Sequence, residues 1–202
     1  MRKICRRILI CGCIAALGWS IMLLRDRQTL DTQLIRLHVV AHSDSVQDQQ
    51  RKLRVRDAVL EAIGEDLHRI TQVDQAKAYL EENLPKIQAA ANLALKQAGD
   101  EHSAAVTLCR EAFATRKYDT FTLPAGVYES LRIVIGEGQG KNWWCVAFPE
   151  LCIPVAGESF RDTAVGAGFS GGLADSLAEG PCEIRFYLLD LLGQVENFFY
   201  EG

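Results

Sequence analysis

The sequence predicts an α+β domain preceded by an N-terminal signal or anchor helix. A basic and apolar segment occupies residues 1–27, one strand pattern and two or three helical patterns follow in residues 35–99, and β-branched and aromatic runs fill residues 105–148. With 202 residues, of which 49% are hydrophobic, the chain is long enough to bury a sizeable core. We therefore expect an N-terminal strand, two or three helices and then an antiparallel sheet.

The first segment has the composition of a membrane-targeting element. Residues 8–24 carry no charge, and as a helix they extend about 26 Å, which suits a thin bilayer or a signal peptide. The basic residues that precede them are Arg2, Lys3, Arg6 and Arg7. The positive-inside rule keeps this end in the cytoplasm and exports the rest. Residues 1–27 are therefore predicted to be a signal peptide or a signal anchor, and residues 28–202 an extracytoplasmic domain.

The exported part is acidic. Of the 22 basic and 26 acidic residues, six and one respectively lie within residues 1–27, which leaves 16 basic against 25 acidic residues in the remainder. Proteins that bind nucleic acid neutralise its phosphates with clustered lysine and arginine side chains, and no such cluster follows the first segment. We therefore expect no nucleic-acid partner.

A strand and an amphipathic helix begin the domain. Residues 35–41 alternate with β-branched side chains and end at the sequence HSDS, in which Ser43, Asp44 and Ser45 are each suited to cap a helix. Residues 46–67 then place their apolar side chains on one half of a helical wheel. The pattern predicts a strand followed by a helix.

A second helix and further strands are predicted next. The T-x-x-D spacing at residues 71–74 imitates a capping box, and an apolar stripe continues to Gly99, with Pro85 expected to interrupt or restart the helix. Strand patterns bounded by glycine and proline turns then cover residues 105–113, 118–123, 127–135 and 143–148. We expect these strands to pair in an antiparallel sheet.

The last third of the chain is less regular. Residues 156–181 are small, rich in glycine and without sustained periodicity, which predicts a long mobile loop with at most one short helix. From Glu183 the side chains alternate briefly and then become continuously apolar. This change predicts a final core strand that leads into a terminal helix.

The most informative run is GEGQGKNWWCVAFPELC, residues 136–152, which we call the aromatic corner. Its glycines permit a tight turn, and on an extended chain the adjacent Trp143 and Trp144 must point to opposite faces. Pro149 and Pro154 end regular strand pairing on either side of Cys152. One indole is therefore predicted to meet solvent or a partner, because a single core covers only one face.

The cysteines leave the covalent framework open. Four of the seven lie in the exported part, and they permit three disulfide pairings: these are Cys109, Cys145, Cys152 and Cys182. A short-loop disulfide between Cys145 and Cys152 would brace the aromatic corner outside the cytoplasm. Two buried free thiols are the alternative.

An exported cysteine hydrolase acting on cell wall or peptide is the alternative function. Gln139 lies six residues before Cys145, as the oxyanion glutamine does in papain-like proteases. A catalytic thiolate, however, is activated at a helix N-terminus, whereas NWWCVAF has the character of a strand. The sequence therefore favours a binding protein without catalytic residues.

The sequence also offers no clear cofactor or metal site. His38 and His42 have a spacing that binds zinc on a helix, but on the predicted strand they lie about 13 Å apart. No Gly-rich phosphate loop, Ser-His-Asp order or CxxC motif occurs in the chain. We expect neither a metal nor a cofactor.

Arg56 interrupts the apolar arc of the first helix. A guanidinium in such a position needs a carboxylate, and the nearest in sequence are Asp44 and Asp48. We expect a structural ion pair with one of them, with a partner-facing arginine as the alternative.

Two blocks of the chain resemble the stage II sporulation protein R family of endospore-forming bacteria. They are IRLHVVAHSDSVQDQQRKLRVRDAVL, residues 35–60, and the aromatic corner. LPKI at residues 84–87 and LPAGVYESLRI at residues 123–133 add to the resemblance. It covers about residues 34–155, and His42 stands where the family pattern usually shows Asn.

The resemblance implies a signalling role. Members of this family are made in the forespore, are exported across its membrane into the intermembrane space, or stay anchored facing it, and activate a membrane-embedded aspartic protease. That protease removes the pro-sequence of sigma-E. The resemblance therefore implies an activator of proteolysis that is not itself an enzyme, with this protease as partner and residues 8–24 as the membrane contact.

The family pattern also indicates site residues. We expect contacts with the partner from Ser43, Asp44, Asp48, Asn142, Trp143 and Trp144. We expect structural roles for Arg56, Asp57, Cys145, Pro149 and Cys152.

Overall fold

The computed structural model describes residues 2–149 and 160–201. The helices are α1 (Arg2–Gln33), α2 (Val46–His68), α3 (Val73–Gln97), α4 (Phe160–Gly166), α5 (Gly171–Glu179) and α6 (Ile184–Glu201), with a 3-10 turn at Gly180–Cys182. The strands are β1 (Ile35–Val40), β2 (Ala104–Phe113), β3 (Arg116–Lys117), β4 (Thr122–Leu123), β5 (Gly126–Ile135) and β6 (Asn142–Phe148). The predicted α+β class is confirmed.

The main sheet is mixed, with strand order β2-β5-β1-β6. β2 pairs with β5 and β6 pairs with β1 in antiparallel fashion, whereas β1 runs parallel to β5, with Leu37 opposite Leu131. Helices α2 and α3 connect β1 to β2, which lies at the opposite edge of the sheet. β1 therefore lies between β5 and β6, two strands that come later in the sequence. Among the described residues, β6 is consequently an edge strand, paired on one side alone. β3 and β4 form a separate small hairpin.

Each face of the sheet carries its own apolar core. On one face, Ile35, Leu37 and Val39 of β1 pack with α2 and α3. On the other face, Tyr128 and Val146 pack with the last turns of α1 and with helices α4 to α6. Both faces of β1 are buried as a result, so this strand is apolar throughout except for Arg36 and His38.

Helix α1 belongs partly to the targeting segment and partly to the domain. It is long and apolar enough to cross a membrane, as expected for a signal anchor or a membrane segment. Leu23 and Leu30 of this helix, and Leu34 directly after it, are nevertheless buried in the second core. Residues 28–33 are therefore the end of a continuous helix, whose Leu30 faces the second core.

Pro85 does not interrupt α3, contrary to the sequence prediction. Leu80 and Ile87, on either side of the proline, are both buried in the first core, and this shared packing keeps the helix continuous. The predicted capping box is also wrong. The helix begins at Val73, and its N-cap residue Gln72 makes no side-chain capping bond.

The glycine-rich region is helical where the structure describes it. Residues 160–181 contain α4 and α5, not a loop with at most one short helix; residues 156–159 lie outside the described residues. The Ser170 hydroxyl caps α5 by accepting a bond from the Leu173 amide (3.1 Å). The strand predicted from Glu183 is wrong as well, because Phe186 and Leu189, three residues apart, face the second core from α6.

Candidate partner-binding surface

Two segments that are distant in sequence meet beside the edge strand. The β1–α2 loop (residues 41–45) and the β5–β6 turn (residues 136–141) are joined by backbone bonds from the Gln139 amide to the His42 carbonyl (3.1 Å) and from the Gly140 amide to the Ala41 carbonyl (2.9 Å). The Lys141 amide also donates to Asp44 Oδ1 (2.7 Å). We call these two segments the loop pair.

The glycines of the loop pair are required by its geometry. Gly136 and Gly138 have φ values of 54° and 62°, in the left-handed region. A Cβ added at Gly140 would lie 2.3 Å from the Ser43 carbonyl oxygen. The turn predicted from the glycine pattern therefore approaches the β1–α2 loop more closely than a side chain would allow.

Asp48 fastens the β1–α2 loop to α2. It accepts hydrogen bonds from the Ser43 hydroxyl (2.5 Å) and from Arg51 Nη1 (2.9 Å), and its amide donates to the capping residue Ser45 (3.1 Å). The bond from Ser43 contributes most, and with those from Arg51 and Ser45 it lowers the pKa of Asp48 against the opposing effect of burial. Asp48 itself is buried, so it supports the loop, whereas Asp44 is exposed beside it.

Trp143 and Trp144 lie on β6 and point to opposite faces of the sheet, as strand geometry requires. Trp143 is 36% exposed, and the Arg56 guanidinium lies 4.4 Å from its ring centre. Trp144 is half-buried, with Arg116 3.6 Å from its ring centre. A guanidinium therefore stacks on each indole: Arg56 on Trp143 and Arg116 on Trp144, on opposite faces of the sheet.

Arg56 is not paired with Asp44 or Asp48, contrary to the sequence prediction. Its Nε donates to Oδ1 of the neighbouring Asp57 (2.7 Å). The two predicted partners are occupied, because Asp44 accepts from Lys141 and Asp48 from Ser43 and Arg51. The structural role predicted for Arg56 and Asp57 takes a different form: the pair orients a guanidinium over Trp143.

A histidine and a carboxylate support Trp144 from behind. His38 stacks on the indole with 5.6 Å between ring centres, and its Nδ1 lies 3.2 Å from both carboxylate oxygens of Glu111. Burial alone would raise the pKa of Glu111, but the bond with His38 and the charges of His38 and Arg132 lower it overall. Glu111 was not found from the sequence, since it lies 73 residues from His38.

His42 has different partners from His38. Its Nδ1 accepts a bond from the Glu137 amide (3.1 Å), and its ring stacks on His102 with 3.9 Å between centres. Within residues 2–149 and 160–201, no group of three metal-ligating side chains occurs.

A pocket of 440 Å³ opens between the β3–β4 hairpin and β6. Arg116, Lys117 and Tyr118 form one wall, and Trp143 and Trp144 form the other. The hairpin is anchored because the Tyr118 hydroxyl accepts a bond from the buried Arg36 (2.8 Å), whose guanidinium lies 4.0 Å from the Phe113 ring centre. Arg116 and Tyr118 were not predicted as site residues, because no local sequence pattern relates a short hairpin to a strand about 25 residues later.

The cysteine of the aromatic corner is not available as a nucleophile. Cys145 is disulfide-bonded and 8% exposed, on a strand and not at a helix N-terminus. Cys109 and Cys182 are free thiols. The predicted partner Cys152 lies outside the described residues, whereas Pro149 is buried at the end of β6. A disulfide-bonded sulfur carries no thiolate, which counts against the hydrolase alternative.

Comparisons with known proteins point to one family. A family model described as stage II sporulation protein R matches residues 31–157, which include the loop pair and β6. A relative named stage II sporulation protein R, from Bacillus subtilis (strain 168), is 42% identical over 120 residues, which are 59% of this chain and 54% of the relative. The chain thus spans about half the length of this relative. No solved structure matches. The chain belongs to the stage II sporulation protein R family.

Proposed function

We propose that the chain is an exported signal that activates a membrane-embedded aspartic protease, the peptidase that removes the pro-sequence of sigma-E during endospore formation. Family membership, an apolar N-terminal helix and a disulfide-bonded cysteine in place of a free thiol support a signalling protein over a hydrolase. The N-terminal helix leads the domain across the forespore membrane, and the domain then acts between the two membranes of the sporangium.

The proposed contact surface consists of the loop pair and the outer edge of β6. The observation that carries it is Trp143, a large indole that remains 36% exposed on an edge strand whose outer side pairs with no other described strand. Exposed tryptophan is favoured as an anchor at protein interfaces. Asn142 and Asp44 are exposed beside it. The chain would present these groups to the extracytoplasmic face of the protease.

Activation then follows from differential binding. A partner that binds the active form of the protease more tightly than the inactive form shifts the population toward the active form. We propose that this form is a dimer of the protease. The rigid support of Trp143 and Trp144 by Arg56 and Arg116 lowers the entropy lost on contact, because both indoles are already held in place.

Replacing Trp143 with alanine tests this surface. In cells that co-express the chain, the protease and pro-sigma-E, we expect Trp143→Ala to reduce precursor cleavage at least about tenfold, as the loss of an interface anchor worth about 2 kcal/mol implies. Cleavage is followed by the ratio of mature to precursor sigma-E. Normal cleavage at an equal level of the variant would refute the surface.

The matched control is Leu93→Ala on α3. Leu93 is also a large exposed apolar side chain, but it lies on α3, away from β6. We expect this variant to support normal cleavage. Circular dichroism of both variants distinguishes a lost contact from a lost fold.

A further inference from the structure

Helix α6 exposes an unusually large apolar surface. Ile184, Tyr187, Phe198 and Phe199 are 73%, 61%, 75% and 77% exposed. Exposed apolar residues on this helix recur every three or four positions, at Ile184, Tyr187, Leu191, Val195 and Phe198. That spacing places them on one face. Apolar patches of this kind on a folded domain mark an interaction surface.

The opposite face of α6 is already used. Phe186 and Leu189 are buried in the second core, and Gly193 lies so close to the sheet that an added Cβ would be 1.7 Å from the Ala125 carbonyl oxygen. The helix is therefore apolar on both sides, with one side in the core. No described residue covers the other side.

Two ion pairs locate α6 relative to α1. Arg185 Nε donates to Asp26 Oδ2 (2.8 Å), and Arg27 Nη2 donates to Glu196 Oε2 (2.8 Å). The contacts on α1 come from adjacent residues, whereas those on α6 are separated by eleven residues, or about 16 Å of helix. Since the contacts spread along α6 and not along α1, α6 runs across α1.

The crossing point lies at the end of the apolar segment. Asp26 follows the last uncharged residue of that segment, Leu24, by two residues, or about 3 Å along the helix axis. If α1 spans the bilayer, the crossing lies at headgroup level, and a helix that crosses α1 there lies in the plane of the membrane. Under that condition the exposed apolar side chains of α6 and of α1 would meet the same membrane.

We propose that α6 is a membrane-surface helix, with its exposed apolar face inserted at the boundary between headgroups and acyl chains. Amphipathic helices bind membranes in this orientation, with aromatic and aliphatic side chains on the buried face. The occupant of the surface is a lipid bilayer. This inference rests on α1 and α6 and not on the proposed function, since α6 lies outside the part of the chain that the family model matches.

Quenching by brominated lipid tests the insertion. Phe198→Trp adds an indole at an exposed aromatic position, and Leu93→Trp adds one at an exposed position on α3. The full-length variants are reconstituted into phosphatidylcholine vesicles with and without bromine on the acyl chains. We expect bromine to reduce the fluorescence added by Phe198→Trp at least about twofold, as burial at the acyl boundary requires, and to leave that added by Leu93→Trp unchanged.

A second position and two further measurements complete the test. Tyr187→Trp places the indole near the other end of α6 and is expected to be quenched as well. If the indoles at both positions are quenched by aqueous acrylamide and not by bromine, the helix faces water and the proposal is wrong. If neither quencher reaches them and the chain cross-links to a second copy, the surface is a dimer interface, and the proposal is equally wrong.

Discussion

Asp48 shows how a single carboxylate positions a surface that it does not itself form. It is buried, yet it accepts bonds from Ser43 in the β1–α2 loop and from Arg51 in α2. The loop in turn binds the β5–β6 turn through Asp44. A residue predicted from the sequence as a partner contact therefore acts one layer behind the exposed residues.

Neutralising Asp48 is expected to loosen the loop pair in a pH-dependent way. The folded-state pKa of Asp48 lies below its unfolded value of about 3.9, so its contribution is complete above that pH and is lost as the pH falls through the folded pKa. We expect Asp48→Asn to cost about 1.5–3 kcal/mol at pH 7, the range for a hydrogen bond to a charged group. The cost should shrink in acid.

Thermal denaturation at pH 7 and pH 3 measures this dependence. A cost that stays equal at both values would show that the carboxylate charge is irrelevant. Glu101→Gln is the control, because it removes an exposed negative charge outside the loop pair and α2.

At the scale of elements, the edge strand β6 combines exposure with rigidity. Its first residues reach solvent, whereas Cys145, Val146 and Phe148 are buried. The disulfide at Cys145 lies at the junction of these two parts. An edge strand held covalently at its buried end presents its outer side without fraying.

Replacing Cys145 with serine should therefore destabilise the domain. We expect a loss of about 2–4 kcal/mol, the usual range for a native disulfide, measured by chemical denaturation. Reducing agent should lower the stability of the original chain to the same level and leave Cys145→Ser unchanged. Cys109→Ser is the control, because this thiol is free. Equal sensitivity of Cys145→Ser to reducing agent would contradict the assignment.

Local pattern explains which elements were predicted correctly. Alternation placed Trp143 and Trp144 on opposite faces, helical periodicity located α2, and the strand pattern with its flanking turns located β5, each to within a residue at both ends. Pairing is a different matter. The parallel alignment of β1 with β5 and the bond from Lys141 to Asp44 join residues about 100 positions apart, which no local pattern encodes.

The errors also have a common origin. The brief alternation from Glu183 suits either a strand or a helix, and packing of Phe186 and Leu189 against the second core selected the helix. Pro85 and the glycines of residues 160–181 reduce helix propensity, but tertiary contacts outweigh that cost in α3, α4 and α5. Helix propensity can be estimated from the sequence, whereas the tertiary packing that outweighs it is known only from the structure.

For the whole molecule, the second core depends on the helix whose apolar first part is long enough to cross a membrane. Leu30 is fully buried among residues of the sheet and of helices α4 to α6. We expect Leu30→Ala to lower the free energy of unfolding by about 2–5 kcal/mol, as for other buried leucines. Leu24→Ala, at a position 61% exposed, should have little effect. Urea denaturation of both variants in detergent measures the difference. Equal free energies of unfolding would show that α1 does not contribute to the stability of the second core.

The position at which α1 enters the core also has a consequence for release. Residues 3–22 contribute nothing buried, and burial starts at Leu23. A signal peptidase acting within the uncovered stretch would release a domain whose two cores are intact, whereas an uncut chain would stay joined to its apolar helix. Cleavage between residues 3 and 22 would therefore change where the domain can travel without changing how it folds.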